Sequence, residues 1–100
     1  MARIIWTEPA LQELDEIADY ISLDDPAAAK KLVRKVFERV DQLAQHPKNG
    51  KRLEEIEASV YREIIVPPCR IFYRLADHVV YIIHVIREEQ LLHFDILKSR

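Results

Sequence analysis

Apolar positions change their spacing along this chain, and the changes mark its elements. Arg3-Ile4-Ile5-Trp6 reads as a short strand ending at Thr7. From there Leu11, Leu14, Ile17, Ala18 and Ile21 recur at helical spacing. Thr7 suits the N-cap, and Glu8 and Pro9 suit a first turn that favours an acid and needs no N–H. Leu23-Asp24-Asp25-Pro26 closes that helix and opens a second, with an aspartate as cap and Pro26 in the first turn. In the second helix Ala29, Leu32, Val33, Val36, Phe37, Val40, Leu43 and Ala44 keep one stripe, which ends near Gln45-His46, before Pro47. A connection this short predicts an antiparallel helical hairpin.

Beyond "HPKNGKRLEEIEAS", the one long irregular stretch, the period falls to two. Three strands are expected: Val60 to Val66, Cys69 to Leu75, and His78 to Arg87. Pro67-Pro68 separates the first two because proline cannot donate to a ladder. Ala76-Asp77 is the expected turn between the last two, and short turns make these strands antiparallel. The tail "EEQLLHFDILKSR" reads equally well as a short helix or one more strand. The fold class is therefore α+β: one domain over residues 1–100, in the order β-α-α-β-β-β with a short C-terminal element. A small antiparallel sheet is expected to be packed on one face by the helical hairpin.

Composition adds little to this outline, and charge distribution adds more. The chain has 100 residues, a net charge of −2, one glycine and one cysteine. A single glycine, Gly50, disfavours a glycine-lined phosphate loop. A lone Cys69 cannot make an internal disulfide and is best read as a buried structural thiol. No charged-then-apolar leader opens the chain, and its longest apolar run falls short of the roughly 20 residues a membrane span needs. A cytoplasmic protein is expected. Acids crowd the first helix, whereas Lys30, Lys31, Arg34, Lys35 and Arg39 crowd the second. The two helices thus present solvated faces of opposite sign, or a basic face for a polyanion or an acidic partner.

Strand alternation places Arg70, Phe72 and Arg74 on one face and Cys69, Ile71, Tyr73 and Leu75 on the other. The second face should meet the helices. Arg62 shares its face with Val60, Ile64 and Val66. His84 falls opposite Cys69 if the turn has two residues and opposite Arg70 if it has three. Arginine mixed with aromatics is typical of partner surfaces, so Arg62, Arg70, Phe72, Arg74 and Arg87 are candidate partner contacts. The same region also offers parts for metal-free RNA cleavage: Arg70 and Arg87 to offset phosphorane charge, and His84 or His93 as acid or base. A histidine within an apolar strand is more often structural. No metal-ligand spacing and no nucleotide motif occurs, so no cofactor is expected.

The segments "WTEPALQELDEIADYI", "DDPAAAKKLV", "LAQHPKNGKRL", "YREIIVPPCRIFYRL" and "VVYIIHVIRE" together resemble a RelE/ParE superfamily toxin of a bacterial type II toxin–antitoxin system. The closer resemblance is to the ParE branch, often labelled plasmid stabilisation proteins. It implies a cognate antitoxin as partner and a toxin that inhibits DNA gyrase by binding, without catalysis. Direct nucleic-acid binding is not implied except through the complex. Lys30, Lys31, Arg34 and Lys35 are then candidates for target binding. The RelE branch supplies the alternative, a ribosome-dependent mRNA endoribonuclease using Arg70, Arg87 and His84. RelE-like nucleases usually carry further bases and a tyrosine after the last long strand. Here Glu88 and Glu89 would repel a phosphate, and Phe94 cannot transfer a proton. A binding domain without toxicity is the third reading.

Overall fold

The computed structural model describes residues 1–53 and 60–88. Strand β1 (Arg3–Trp6) leads into helices α1 (Glu8–Ser22) and α2 (Pro26–Asp41). A 3₁₀ turn (Gln42–Ala44) and a two-residue strand β2 (Lys51–Arg52) follow. Strands β3 (Tyr61–Val66), β4 (Cys69–Ala76) and β5 (Val79–Arg87) complete the described fold. Among the described residues the sheet has five strands in the order β1-β5-β4-β3-β2. The α+β class and the element order match the sequence expectation. Whether the tail "EEQLLHFDILKSR" is a short helix or one more strand is a question that, from residue 89 onward, lies outside the described residues.

The caps form as expected. The Thr7 Oγ1 accepts the N–H of Ala10 at 3.4 Å, and its hydroxyl donates to the Ile82 carbonyl at 2.8 Å. Thr7 therefore starts α1 and also ties it to the far end of the chain. Asp25 accepts the N–H of Ala28 at 3.0 Å to start α2. Helix α1 buries Ala10, Leu14 and Ile17, and α2 buries Ala29, Leu32, Val36 and Val40.

All of these except Ala29 meet Ile64, Val66, Cys69, Ile71, Tyr73, Val80, Ile82 and Val85 in one core cluster on one face of the sheet. Cys69, the one cysteine of the chain, is a fully buried thiol, as its position in an apolar strand predicted. The reverse face is not simply solvated. It carries a second cluster of Leu53, Phe72 and Ile83, flanked by Tyr61, Tyr81 and Ile86.

Three details depart from the sequence reading. Strand β1 pairs with β5 in parallel, Arg3 with Val79 through Trp6 with Ile82, so the sheet is mixed and only β2 to β5 run antiparallel. A parallel pair needs a long crossover, and the helical hairpin supplies one. The β4–β5 turn falls on Asp77-His78, one residue later than expected, with φ of 49° and 63°. Both residues tolerate this left-handed region better than most, which suits a two-residue hairpin. Finally, Phe72 faces His84 while Tyr73 faces Ile82, so Ile83 is an extra residue in β5. His84 consequently lies opposite neither Cys69 nor Arg70.

Candidate partner-binding face

Register fixes which side chains share the reverse face. Tyr61 faces Arg74, Glu63 faces Phe72 and Ile65 faces Arg70 across β3 and β4. On the other side of β4, Tyr81 faces Arg74 and Ile86 faces Arg70. The two guanidinium groups lie on aromatic rings: Arg70 is 4.9 Å from the Phe72 ring centre and Arg74 is 4.6 Å from that of Tyr81. Each places a planar cation on the negative face of a ring and keeps its stem on apolar surface. The Arg70 Nε donates to Glu63 Oε2 at 2.9 Å, and their side chains are 22% and 14% exposed. These cations are thus half-buried and pre-set rather than sealed inside or loose in solvent. Ile65 beside them is 45% exposed, an apolar rim to the same face.

Arg62 belongs elsewhere. It pairs with Tyr73, on the face turned to the helices. Its Nη1 donates to the carbonyls of Lys48 at 3.2 Å and Gly50 at 2.8 Å. The Tyr73 hydroxyl accepts the Gly50 N–H at 2.9 Å and donates to the Pro47 carbonyl at 2.7 Å. Burial pushes the Tyr73 hydroxyl above its ordinary pKa, opposed by the Gly50 hydrogen bond and by the charge of Arg62. Together Arg62 and Tyr73 pin the Pro47–Gly50 loop from beneath. Arg62 therefore shapes a loop and is not gathered with Arg70 and Arg74.

The three residues that a nuclease would need also part company. Arg70 stands on the reverse face, opposite Ile86, whereas Arg87 is opposite Cys69 and lies 5.0 Å over the ring of Tyr20 on α1. His84 is buried, 5% exposed, and its Nδ1–H donates to Glu13 Oε2 at 2.6 Å. Glu13 Oε1 also accepts the Val85 N–H at 3.2 Å. A cleft of about 260 Å³ between α1 and β5 is lined by Glu13, Glu16, Tyr20 and Arg87, without Arg70 or His84. Sequence reasoning missed Glu13, though a signal existed: it lies three residues after Ala10 and four before Ile17, both buried, hence on the inward side of α1. It also missed Glu63, which the β3–β4 register brings to Arg70, and Tyr20, which the packing of α1 against β5 brings to Arg87.

Four of the five basic residues of α2 divide into two pairs. Lys30 and Arg34 border a groove between α1 and α2, whereas Lys31 and Lys35 border a separate pocket beside Pro67 and Pro68. Among the described residues no group of His, Cys, Asp and Glu could hold a metal ion, and no helix is long and apolar enough to cross a membrane.

Comparison with known proteins places this architecture. The family described as ParE toxin of type II toxin-antitoxin system, parDE, matches residues 4–92. Toxin RelE2 of Caulobacter vibrioides is 35% identical over 86 residues, spanning 85% of this chain and 93% of that protein. Among solved structures, a chain of the chromosomal ParDE system from P. aeruginosa superposes with a TM-score of 0.71 at 27% identity, covering 87% of this chain and 96% of that one. A chain of the toxin–antitoxin complex RelBE2 from Mycobacterium tuberculosis shares the fold, with a TM-score of 0.59 at 21% identity over 86% of this chain and 96% of that one. The chain belongs to the ParE toxin family of type II toxin–antitoxin systems, within the RelE/ParE superfamily.

Proposed function

We propose that this toxin acts in the cytoplasm by binding, with DNA gyrase as its target, and that a cognate antitoxin silences it. One observation carries the binding reading: Arg70, Arg87 and His84 are dispersed over two faces and a buried hydrogen bond. General acid–base cleavage needs its groups within hydrogen-bond reach of one phosphate. The dispersion supports a surface that grips over one that turns over substrate. Purified toxin should inhibit gyrase supercoiling and leave ribosome-bound message intact. Message cleavage that Arg70→Ala or Arg87→Ala abolishes, with gyrase unaffected, would establish the alternative, a ribosome-dependent nuclease. The relative named RelE2 is the observation that favours testing it.

For the antitoxin, the arginine–aromatic face is the proposed seat. The similar structures are of toxin–antitoxin systems, and the face offers what an acidic, apolar peptide requires. Half-buried Arg70 and Arg74 would pair with its acids, and Ile65 with its apolar residues. Titration of antitoxin into the Arg70→Ala, Arg74→Ala double variant is the direct check. Unchanged affinity would remove the assignment.

A further inference from the structure

By composition the reverse face of the sheet suits nucleic acid as well as peptide. It carries Arg70 and Arg74 with Tyr61, Phe72 and Tyr81, the mixture of cations and rings on which single strands stack. Strand pairing adds Lys51, which faces Glu63 from β2. Two features of the geometry oppose that use. The first is that the guanidinium groups lie on two of the rings, Arg70 on Phe72 and Arg74 on Tyr81, where a base would have to stack. Phe72 is also fully buried. What remains to attract an RNA strand is charge.

The second feature is that part of this charge is cancelled from within. Among the described residues, Glu63 is the only acid that the five strands place on this face. Its Oε2 accepts the Nε–H of Arg70 at 2.9 Å, and its side chain is 14% exposed. Arg74 makes no ion pair among the described residues. Affinity for a polyanion scales with the number of phosphates whose counterions are released, so each cation neutralised by an internal acid is subtracted from it. An acidic, apolar peptide depends less on that count. One carboxylate can take the fork of Arg74, and Ile65, 45% exposed, adds apolar contact.

We propose that Glu63 is the specificity-determining residue of the arginine–aromatic face. It holds Arg70 on the sheet and cancels its charge, so the face accepts a carboxylate-bearing peptide and rejects single-stranded RNA. The assignment deepens the reading of this face as the antitoxin's seat and rests on it.

Fluorescence anisotropy of a labelled oligouridylate, titrated with the full chain freed of antitoxin, tests it. Glu63→Gln and Glu63→Ala both remove the charge, and the first keeps an acceptor for the Arg70 Nε–H. Wild type should bind the oligonucleotide weakly. Each variant that keeps wild-type circular dichroism and cooperative unfolding should bind about tenfold tighter, the gain of one charge-assisted contact. Its log K should also fall more steeply with log salt, by about 0.7 in slope for one further phosphate. Antitoxin titrated into the same variants should gain by a smaller factor. Arg70→Ala added to Glu63→Gln should return RNA affinity to the wild-type level, because the pair together carries no net charge. Wild type that binds the oligonucleotide as tightly as the variants overturns the proposal. So does a gain that survives the loss of Arg70, or an antitoxin gain as large as that for RNA. Failure of the seat itself reads differently: the Arg70→Ala, Arg74→Ala variant would keep its antitoxin affinity, whatever the oligonucleotide does.

Discussion

Glu13 on α1 holds two groups of β5 at once: it accepts the Nδ1–H of His84 at 2.6 Å and the backbone N–H of Val85 at 3.2 Å. Strand β1 covers β5 only as far as Ile82, and Thr7 then turns away into α1. Beyond that point the edge of β5 would present a bare donor at Val85, and the carboxylate takes the place of the missing strand. The extra residue Ile83 shifts the register just there, which brings His84 to the helix.

Glu13→Ala should therefore cost more than an ordinary helix-surface substitution. It strands a buried imidazole N–H and a strand N–H together, a loss of about 2–3 kcal/mol. For a domain of this size that lowers Tm by roughly 10 °C or more. Thermal unfolding of Glu13→Ala beside a control at exposed Gln12 would show it.

Tyr73→Phe keeps the ring and removes the hydroxyl that holds Gly50 and Pro47. The expected cost is about 1–3 kcal/mol, since a donor and an acceptor lose their partner together. The hydroxyl also predicts a pH effect. Its pKa is raised from 10.0 by burial, so above that pH the native state holds a proton that the unfolded chain releases. The stabilisation is complete below the unfolded pKa and disappears as pH climbs through the folded one. Urea titrations should show the difference between wild type and Tyr73→Phe shrinking as pH rises past about 10.

Gly50 is needed for space. A Cβ there would stand 2.5 Å from the Tyr73 hydroxyl oxygen, 2.6 Å from Cε1 and 2.8 Å from the Glu63 carbonyl. The carbonyl is backbone and cannot yield, so Gly50→Ala should destabilise by about 1–3 kcal/mol. Its effect should not add to that of Tyr73→Phe, because deleting the hydroxyl relieves the nearest clash; a double-mutant cycle measures the coupling.

Arg70→Lys is a sharper probe of the reverse face than deletion. Lysine retains the charge but has no planar group to lie on Phe72 and no Nε to meet Glu63. Antitoxin affinity is expected to fall about tenfold or more with Tm nearly unchanged, as read by calorimetric titration. Recovery of full affinity by the lysine would show that charge alone suffices.

Much of this architecture is visible in the sequence because it is encoded locally. The Thr7 and Asp25 caps, the prolines after them and the alternation of Arg70, Phe72 and Arg74 each depend on a few neighbouring residues. What the sequence hides depends on distant ones. Nothing near Arg3 says that it will pair with Val79, nor that it will do so in parallel. The extra residue Ile83 carries no glycine or proline to announce it, yet it decides where His84 points. Strand β2 has two residues, too few to leave a period. The candidate site divides in the same way. Strand alternation gathered Arg70, Phe72 and Arg74 on one face, but the sequence reading grouped Arg62 with them; its grip on the loop carbonyls, and the stacking of Arg87 on Tyr20, come from contacts far along the chain.

The hydroxyl of Thr7 reaches a carbonyl 75 positions later, and among the described residues β1 pairs in the sheet only with β5. During synthesis, the opening segment must wait for nearly the whole polypeptide before its place exists. A premature stop anywhere ahead of Val79 leaves that seam unmade, and the edge of β1 stays bare.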